Sequence, residues 1–111
     1  MHISYSYIHI DSSPALEQYF AKKLETIAAK LSRFDTDNAG ECVVEFAKTT
    51  EHHQHGNIYR AEVTLAIPTH TFRADATGED MYAAIDAVRD LLTEQVARYK
   101  ELETDKRHGN A

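Results

Sequence analysis

The residue types best suited to metal binding lie in one short histidine-rich segment of this chain. His52, His53 and His55 are close in sequence, and imidazole nitrogens are ligands for zinc, nickel or copper. Only Glu51 is spaced to add a carboxylate to them, and a histidine-rich loop between two strands is more often simply polar. We therefore predict no metal site, and metal binding through this segment stays as an alternative.

Nucleophilic chemistry has equally little support. Cys42 is the single cysteine, so an internal disulfide is impossible, and its alternation with Val44 and Phe46 indicates a buried side chain. The sequence contains no glycine-rich phosphate loop, no serine elbow and no paired-carboxylate site. We predict that the chain is not an enzyme and binds no cofactor.

The positive charge is concentrated on one side of the first predicted helix. The whole chain carries a formal net charge of −6, which disfavours nucleic-acid binding unless cations are locally grouped. At about 100° per residue, the basic residues fall in one arc beside the apolar stripe, while the acidic ones lie beyond its other edge. An aromatic side chain within a basic arc suits phosphate contact with base stacking, although basic residues are also ordinary on a solvated helix. The arc consists of Lys22, Lys23, Lys30 and Arg33, with Tyr19 among them.

The second predicted helix is mostly acidic on its outer face, which would repel phosphate. Arg89 and Lys100, with Tyr82 and Thr93 at a similar angle, form a narrow basic or neutral strip beside its apolar stripe. If this strip borders the first helix, the two helices make one positive seam. The outer face is assigned Glu79, Asp80, Asp86, Asp90, Glu94 and Glu101, together with Arg98.

Periodicity supplies the elements that would position these side chains. Residues 2–10 predict a strand with a bulge near Tyr7. Ser13 and Pro14 predict the start of a helix that continues to about Phe34. Three further alternating segments predict strands around residues 42–47, 59–66 and 71–76. Thr77 and Asp80 match a capping box, which predicts a second helix running to about Glu103.

The predicted fold is α+β, in the order β-α-β-β-β-α, with two helices packed on one face of a four-stranded sheet. Its 111 residues suit one domain, which we place at residues 1–104, followed by a short polar tail at 105–111. The chain shows neither a basic leader nor a long apolar run, so we expect a cytoplasmic protein.

One segment is similar to a known family signature. The sequence GEDMYAAID at 78–86 resembles that of the ribosome hibernation promoting factor and ribosome-associated inhibitor family, in its short form. The likeness covers nearly the whole chain: residues 13–16 match the opening of the family's first helix, 22–24 its lysine-rich stretch, and Gln95 with 98–100 the end of its last helix. The family's element order is also the one predicted here.

The resemblance implies a protein that lies in the tRNA and mRNA channel of the small ribosomal subunit and inhibits translation during stress or stationary phase. The expected partner is ribosomal RNA, with ribosomal proteins as further contacts, and neither DNA nor a membrane. The resemblance implies RNA contacts by Lys22, Lys23, Arg98 and Lys100. The helical wheel adds Lys30, Arg33 and Arg89.

Some positions depart from the family's pattern. Basic residues are frequent in the family where this chain has Thr26, Ala29, Leu91 and Glu94, so its affinity for the ribosome would be lower or would depend on ribosomal proteins. The C-terminal domain with which longer members pair two ribosomes is not expected here. A protein-binding regulator that kept the fold but lost its ribosome contacts is the competing interpretation.

Overall fold

The computed structural model describes residues 1–49 and 58–109, and it confirms the predicted order of strands and helices. The histidine-rich segment lies outside the described residues, and so do Asn110 and Ala111. The elements are β1 (His2–Ile8), α1 (Pro14–Leu31), β2 (Glu41–Lys48), β3 (Tyr59–Ile67), β4 (His70–Gly78) and α2 (Met81–Gly109), with a single 3₁₀ turn at Thr36–Asn38.

The four strands form one sheet in the order β1-β2-β3-β4, with β1 parallel to β2 and the other pairs antiparallel. Its register aligns Tyr5, Val44, Val63 and Ala74 across the sheet, so alternate residues of every strand share one face. Both helices pack there, and their apolar stripes join these strand residues in one core. The α+β arrangement with two helices on one sheet face is therefore confirmed.

The bulge predicted near Tyr7 is wrong. β1 pairs with β2 in unbroken register from His2 to Ile8. The strand ends at Ile8, and the φ of the next residue, His9, is 58°, in the left-handed region. Ile8 continues the alternation of β1 and is 40% exposed, whereas Ile10, which follows the change of parity at His9, packs against the core.

The start of α1 follows the prediction, but its end does not. Ser13 Oγ accepts a hydrogen bond from the Leu16 amide at 3.2 Å, and Pro14 occupies the first helical position. The helix ends at Leu31 and not near Phe34, because the amide of Phe34 bonds the Leu31 carbonyl at 2.9 Å in a tighter turn. Phe34 still packs against the core from beyond the helix.

The capping box predicted before α2 is half wrong. Thr77 lies in β4 opposite Arg60 and is not a cap. Asp80 does cap the helix, because its Oδ1 accepts a hydrogen bond from the Ala83 amide at 2.8 Å. The strand passes into the helix through Gly78, where an added Cβ would approach the Ala84 nitrogen to 2.7 Å. Only glycine fits this close packing of strand end on helix.

The second helix runs to Gly109, beyond the end predicted near Glu103. Tyr99 is buried, and none of residues 100–106 is. This end holds two lysines, two glutamates and an arginine among residues 100–109, and these residue types favour helix without help from a core. The helix therefore extends past the sheet, which gives the molecule dimensions of 56 × 26 × 17 Å.

The side chain of Cys42 lies in the interior of the sheet. Cys42 is fully buried between Ile3 and Leu65 on the neighbouring strands, and this burial raises the pKa of its thiol to about 12. Its prediction as a buried hydrophobic residue is confirmed.

Within residues 1–49 and 58–109, neither helix is long and apolar enough to cross a membrane.

The cap of α2 supports a stability prediction. Asp80→Ala removes the acceptor for the Ala83 amide, and we expect it to lower the free energy of unfolding by about 1 kcal/mol. The matched control is Glu79→Ala, which changes the exposed neighbour outside the helix. Urea denaturation measures both variants. Equal stability of Asp80→Ala and Glu79→Ala would contradict the assignment of the cap.

Candidate nucleic-acid interface

The basic side of α1 faces α2. Tyr19 donates its hydroxyl hydrogen to Asp86 Oδ1 at 2.7 Å, and Lys23 Nζ lies 3.7 Å from the same oxygen. Because the basic arc lies on the Tyr19 side of α1, these contacts orient the arc toward the groove between the helices. The strip predicted on α2 borders α1 at Tyr82, whose ring contacts that of Tyr19, and at Lys100, which lines one cleft with Lys30. We define the seam as Tyr19, Lys23 and Lys30 of α1 with Tyr82, Asp86 and Lys100 of α2.

Two aromatic rings meet at one end of the seam. Tyr19 and Tyr82 have ring centroids 4.8 Å apart and are nearly perpendicular, at 86°. Lys23 Nζ lies 5.0 Å from the centre of the Tyr19 ring. Tyr82 is 44% exposed, so part of its ring is open to a ligand. This end of the seam combines an accessible aromatic ring with a cation, as single-stranded RNA contacts require.

Asp86 occupies a different place from the one predicted. The helical wheel assigns it to the outer acidic face, whereas its carboxylate lies in the seam and bonds Tyr19. This hydrogen bond, followed by partial desolvation and the charge of Asp86, raises the pKa of Tyr19. Asp86 follows Tyr82 by four residues, a spacing that puts both side chains on one side of α2. Which side of α2 faces α1 is decided by the packing of the helices, which a sequence pattern does not give.

At the other end of the seam, Lys30 and Lys100 come together. They line a cleft of about 420 Å³ between the helices, with Glu101, Thr104 and Asp105. Here a cation from each helix flanks one concave surface, as the sequence predicted for a shared seam. The acidic neighbours limit the positive potential to the two ammonium groups and their immediate surroundings.

The remaining predicted cations differ in their surroundings. Lys22 is exposed on α1, and the Arg33 guanidinium lies 4.6 Å from the centre of the Phe34 ring just beyond the end of α1. Arg89 donates from Nε to Asp90 at 2.8 Å, so its charge is partly neutralised by its neighbour. Within the described part of the chain, Lys22, Lys30, Arg33 and Lys100 form no ion pair.

Arg98 does not join the other predicted residues. It is exposed on the outer side of α2, where it lines a separate cleft with Leu91, Glu94 and Glu101. Its neighbours in the motif have structural contacts. Gln95 donates from Nε2 to the Arg73 carbonyl of edge strand β4 at 2.7 Å, and Tyr99 is buried.

The uncovered sheet face carries an ion-pair group of its own. Arg60 contacts Asp75 at 2.9 Å, Glu62 at 2.6 Å and Glu45 at 3.9 Å. The first two contacts supply hydrogen bonds that raise the pKa of the guanidinium. Three carboxylates around one arginine leave a surplus of negative charge, so this face is unsuited to phosphate.

The family model for the sigma 54 modulation protein / S30EA ribosomal protein matches residues 3–103. The chain belongs to this family. The match includes α1, residues 81–103 of α2 and the seam between the helices. It supports the resemblance that the signature at 78–86 indicated.

Curated relatives of similar length carry one name. The chain is 31% identical to the ribosome hibernation promoting factor of Pseudomonas putida, over 100% of this chain and 98% of the relative. It is 28% identical to the protein of that name from Azotobacter vinelandii, over 98% and 92% of the two chains. For the Escherichia coli protein the identity is 30%, over 84% and 86%. These names give no support to a protein-binding regulator without ribosome contacts or to a metal-binding protein.

Two solved structures share the fold. A ribosomal subunit interface protein from Coxiella burnetii superposes with a TM-score of 0.70 at 24% identity, over 91% of this chain and 99% of the other. The N-terminal domain of Protein Y from Thermus thermophilus gives 0.61 at 28% identity, over 89% and 99%. The first likeness shows the fold alone.

The contact between Tyr19 and Asp86 can be tested by titration. Asp86→Ala removes the acceptor and the negative charge, so we expect it to lower the pKa of Tyr19 toward its ordinary value. Asp90→Ala is the matched control, because that carboxylate pairs with Arg89. NMR titration of the tyrosine rings measures the effect, with Tyr19→Phe identifying the signal.

The hydrogen bond between Tyr19 and Asp86 also predicts how the stability of the protein changes with pH. Because folding raises the pKa of Tyr19, its contribution is complete below the unfolded value of about 10 and is lost as pH rises through the folded value. Above about pH 10, the melting temperature of the parent should therefore fall more steeply with pH than that of Tyr19→Phe. Parallel curves would show that the hydrogen bond does not form in solution.

Proposed function

We propose that this chain is a cytoplasmic ribosome hibernation factor that occupies the tRNA and mRNA channel of the small subunit and inhibits translation during stress or stationary phase. The observation that carries the proposal is the seam itself. In a chain of this family, it has the partly exposed Tyr19–Tyr82 pair with Lys23 at one end, and one cation from each helix, Lys30 and Lys100, at the other. The names of the relatives support the same role.

Local charge explains how a chain with a net charge of −6 binds RNA. Phosphate groups respond to cations within roughly a Debye length, about 8 Å at physiological salt, and distant carboxylates are screened. Lys22, Lys30 and Arg33 are exposed, and the ion-pair group around Arg60 lies on the opposite side of the sheet. The helix side is therefore the RNA-binding side in this proposal.

The tyrosine pair gives the seam a second mode of contact. Tyr82 presents its exposed ring for stacking, while Tyr19 supports that ring edge-on and is itself held by Asp86. A ring held before binding loses little conformational freedom when a base stacks on it. Asp86 also holds Lys23 beside the ring, so it positions two RNA-contacting groups without contacting RNA.

Inhibition in this proposal requires occupancy alone. A domain that fills the channel excludes tRNA and mRNA sterically, so no bond is made or broken, and the role is not enzymatic. Arg98 is assigned a weaker contact than the seam residues because Glu94 and Glu101 surround it on the outer face.

The salt dependence of binding tests the assigned cations one at a time. Lys22→Gln, Lys23→Gln and Lys30→Gln should each weaken binding to purified small subunits. Each should also lower the slope of log affinity against log salt by about 0.7 to 0.9. Arg73→Gln is the control, since Arg73 is exposed on the uncovered sheet face. Binding by the parent that does not change with salt would refute the proposal.

A second pair of variants tests which side of the helices meets RNA. Thr26 is exposed within the basic arc of α1, whereas Glu94 lies on the outer face of α2. We expect Thr26→Arg to tighten binding by adding a phosphate contact, and Glu94→Arg to tighten it less. Dissociation constants at one fixed salt concentration measure both. Tightening by Glu94→Arg alone would place the RNA on the outer face.

A further inference from the structure

We propose that His70, at the start of β4, is a stacking site for an unpaired base of the ribosomal RNA, an inference that rests on the proposed function. The site lies at the end of the sheet where β3 turns into β4, away from the Tyr19–Tyr82 pair. It consists of His70 with the rings that support it, Phe72, Tyr99 and Phe34, and of Arg33 at its edge.

The geometry of His70 is that of the outermost ring of a stack. Its ring centroid lies 4.8 Å from that of Tyr99 with an angle of 31° between planes, and 4.6 Å from that of Phe72. Phe72 and Tyr99 are buried, whereas His70 is exposed. One face of the imidazole therefore covers the aromatic core while the remainder of the ring is open to solvent.

The support beneath His70 is fixed before any ligand arrives. The hydroxyl groups of Tyr99 and Thr69 are hydrogen-bonded at 2.8 Å, and Thr69 belongs to the turn that carries His70. Phe72 meets the Tyr99 ring edge-on at 88°. Two contacts thus hold the Tyr99 ring on which His70 rests, so a base can stack on His70 without first ordering its support.

A cation lies near the rings that support His70, which favours a ligand that carries a phosphate. Phe34 packs edge-on against Tyr99 at 5.2 Å, and the Arg33 guanidinium lies 4.6 Å from the Phe34 ring. Arg33 also ends the basic arc of α1, which begins at Lys22. His70 and Arg33 are therefore joined through Tyr99 and Phe34, so the proposed RNA-binding side continues around the end of the sheet from a phosphate-binding group to a ring available to a base.

The experiment compares substitutions of His70 in binding to purified small subunits at several salt concentrations. Loss of one stacked base should weaken binding by about 5- to 150-fold in His70→Ala. Stacking involves no phosphate, so the salt slope should stay as in the parent, whereas Arg33→Gln should lower it. His2→Ala removes an exposed histidine of β1 on the uncovered sheet face and serves as the control.

Two further variants separate stacking from packing. His70→Phe keeps an aromatic face and should retain most of the affinity, while His70→Leu keeps apolar packing without that face and should bind as weakly as His70→Ala. Chemical probing of the bound RNA should show one base protected by the parent and by His70→Phe, and reactive again with His70→Ala.

The outcomes distinguish this inference from the function on which it rests. A parent that does not bind small subunits overturns both. A parent that binds while His70→Ala binds equally well overturns the stacking site alone. Weaker binding by His70→Ala without a change in any base's reactivity would assign His70 to a ribosomal protein, and failure of His70→Phe to bind would assign its role to the imidazole nitrogens. Either result refutes stacking.

Discussion

The arrangement of charge in this protein depends on one packing constraint, which is that both helices bury their apolar stripes on the same face of a single four-stranded sheet. The two helices must then lie side by side. A residue adjacent to the buried stripe of α1 faces either α2 or solvent, and the basic arc falls on the α2 side, as Tyr19 and Lys23 show. The basic residues that the sequence groups on one side of α1 come to border α2 only through this packing.

Grouping cations between two helices has an electrostatic cost, which Asp86 offsets in the free protein. Its carboxylate accepts a hydrogen bond from Tyr19 and lies near Lys23, so it joins α1 to α2 where like charges would otherwise separate them. Lys30 and Lys100 face one cleft without ion-pair partners among residues 1–49 and 58–109. The positive charge of the seam is therefore partly neutralised at its tyrosine end, by Asp86, whereas the two lysines at the other end have no ion pair within the described residues.

Local patterns predicted the element order, the Ser13 cap and the apolar stripes, because each depends on residues a few positions apart. The positive φ of His9 and the tight turn after Leu31 are backbone events with no periodic signal. For the site, the wheel placed Tyr19, Lys23 and Lys30 on the side of α1 that borders α2. It misplaced Asp86 and gave no reason to separate Arg98 from Lys100, because the side of α2 that faces α1 is decided by packing.

The burial of the single thiol has a consequence for the chemical lifetime of the folded protein. Oxidants react with thiolates, and Cys42 is both inaccessible and held in its protonated form by a pKa of about 12. Peroxide or a mixed-disulfide partner can reach this sulfur only after the sheet opens. As long as the domain stays folded, oxidising conditions leave it without sulfenylation, intermolecular cross-links or any other cysteine lesion.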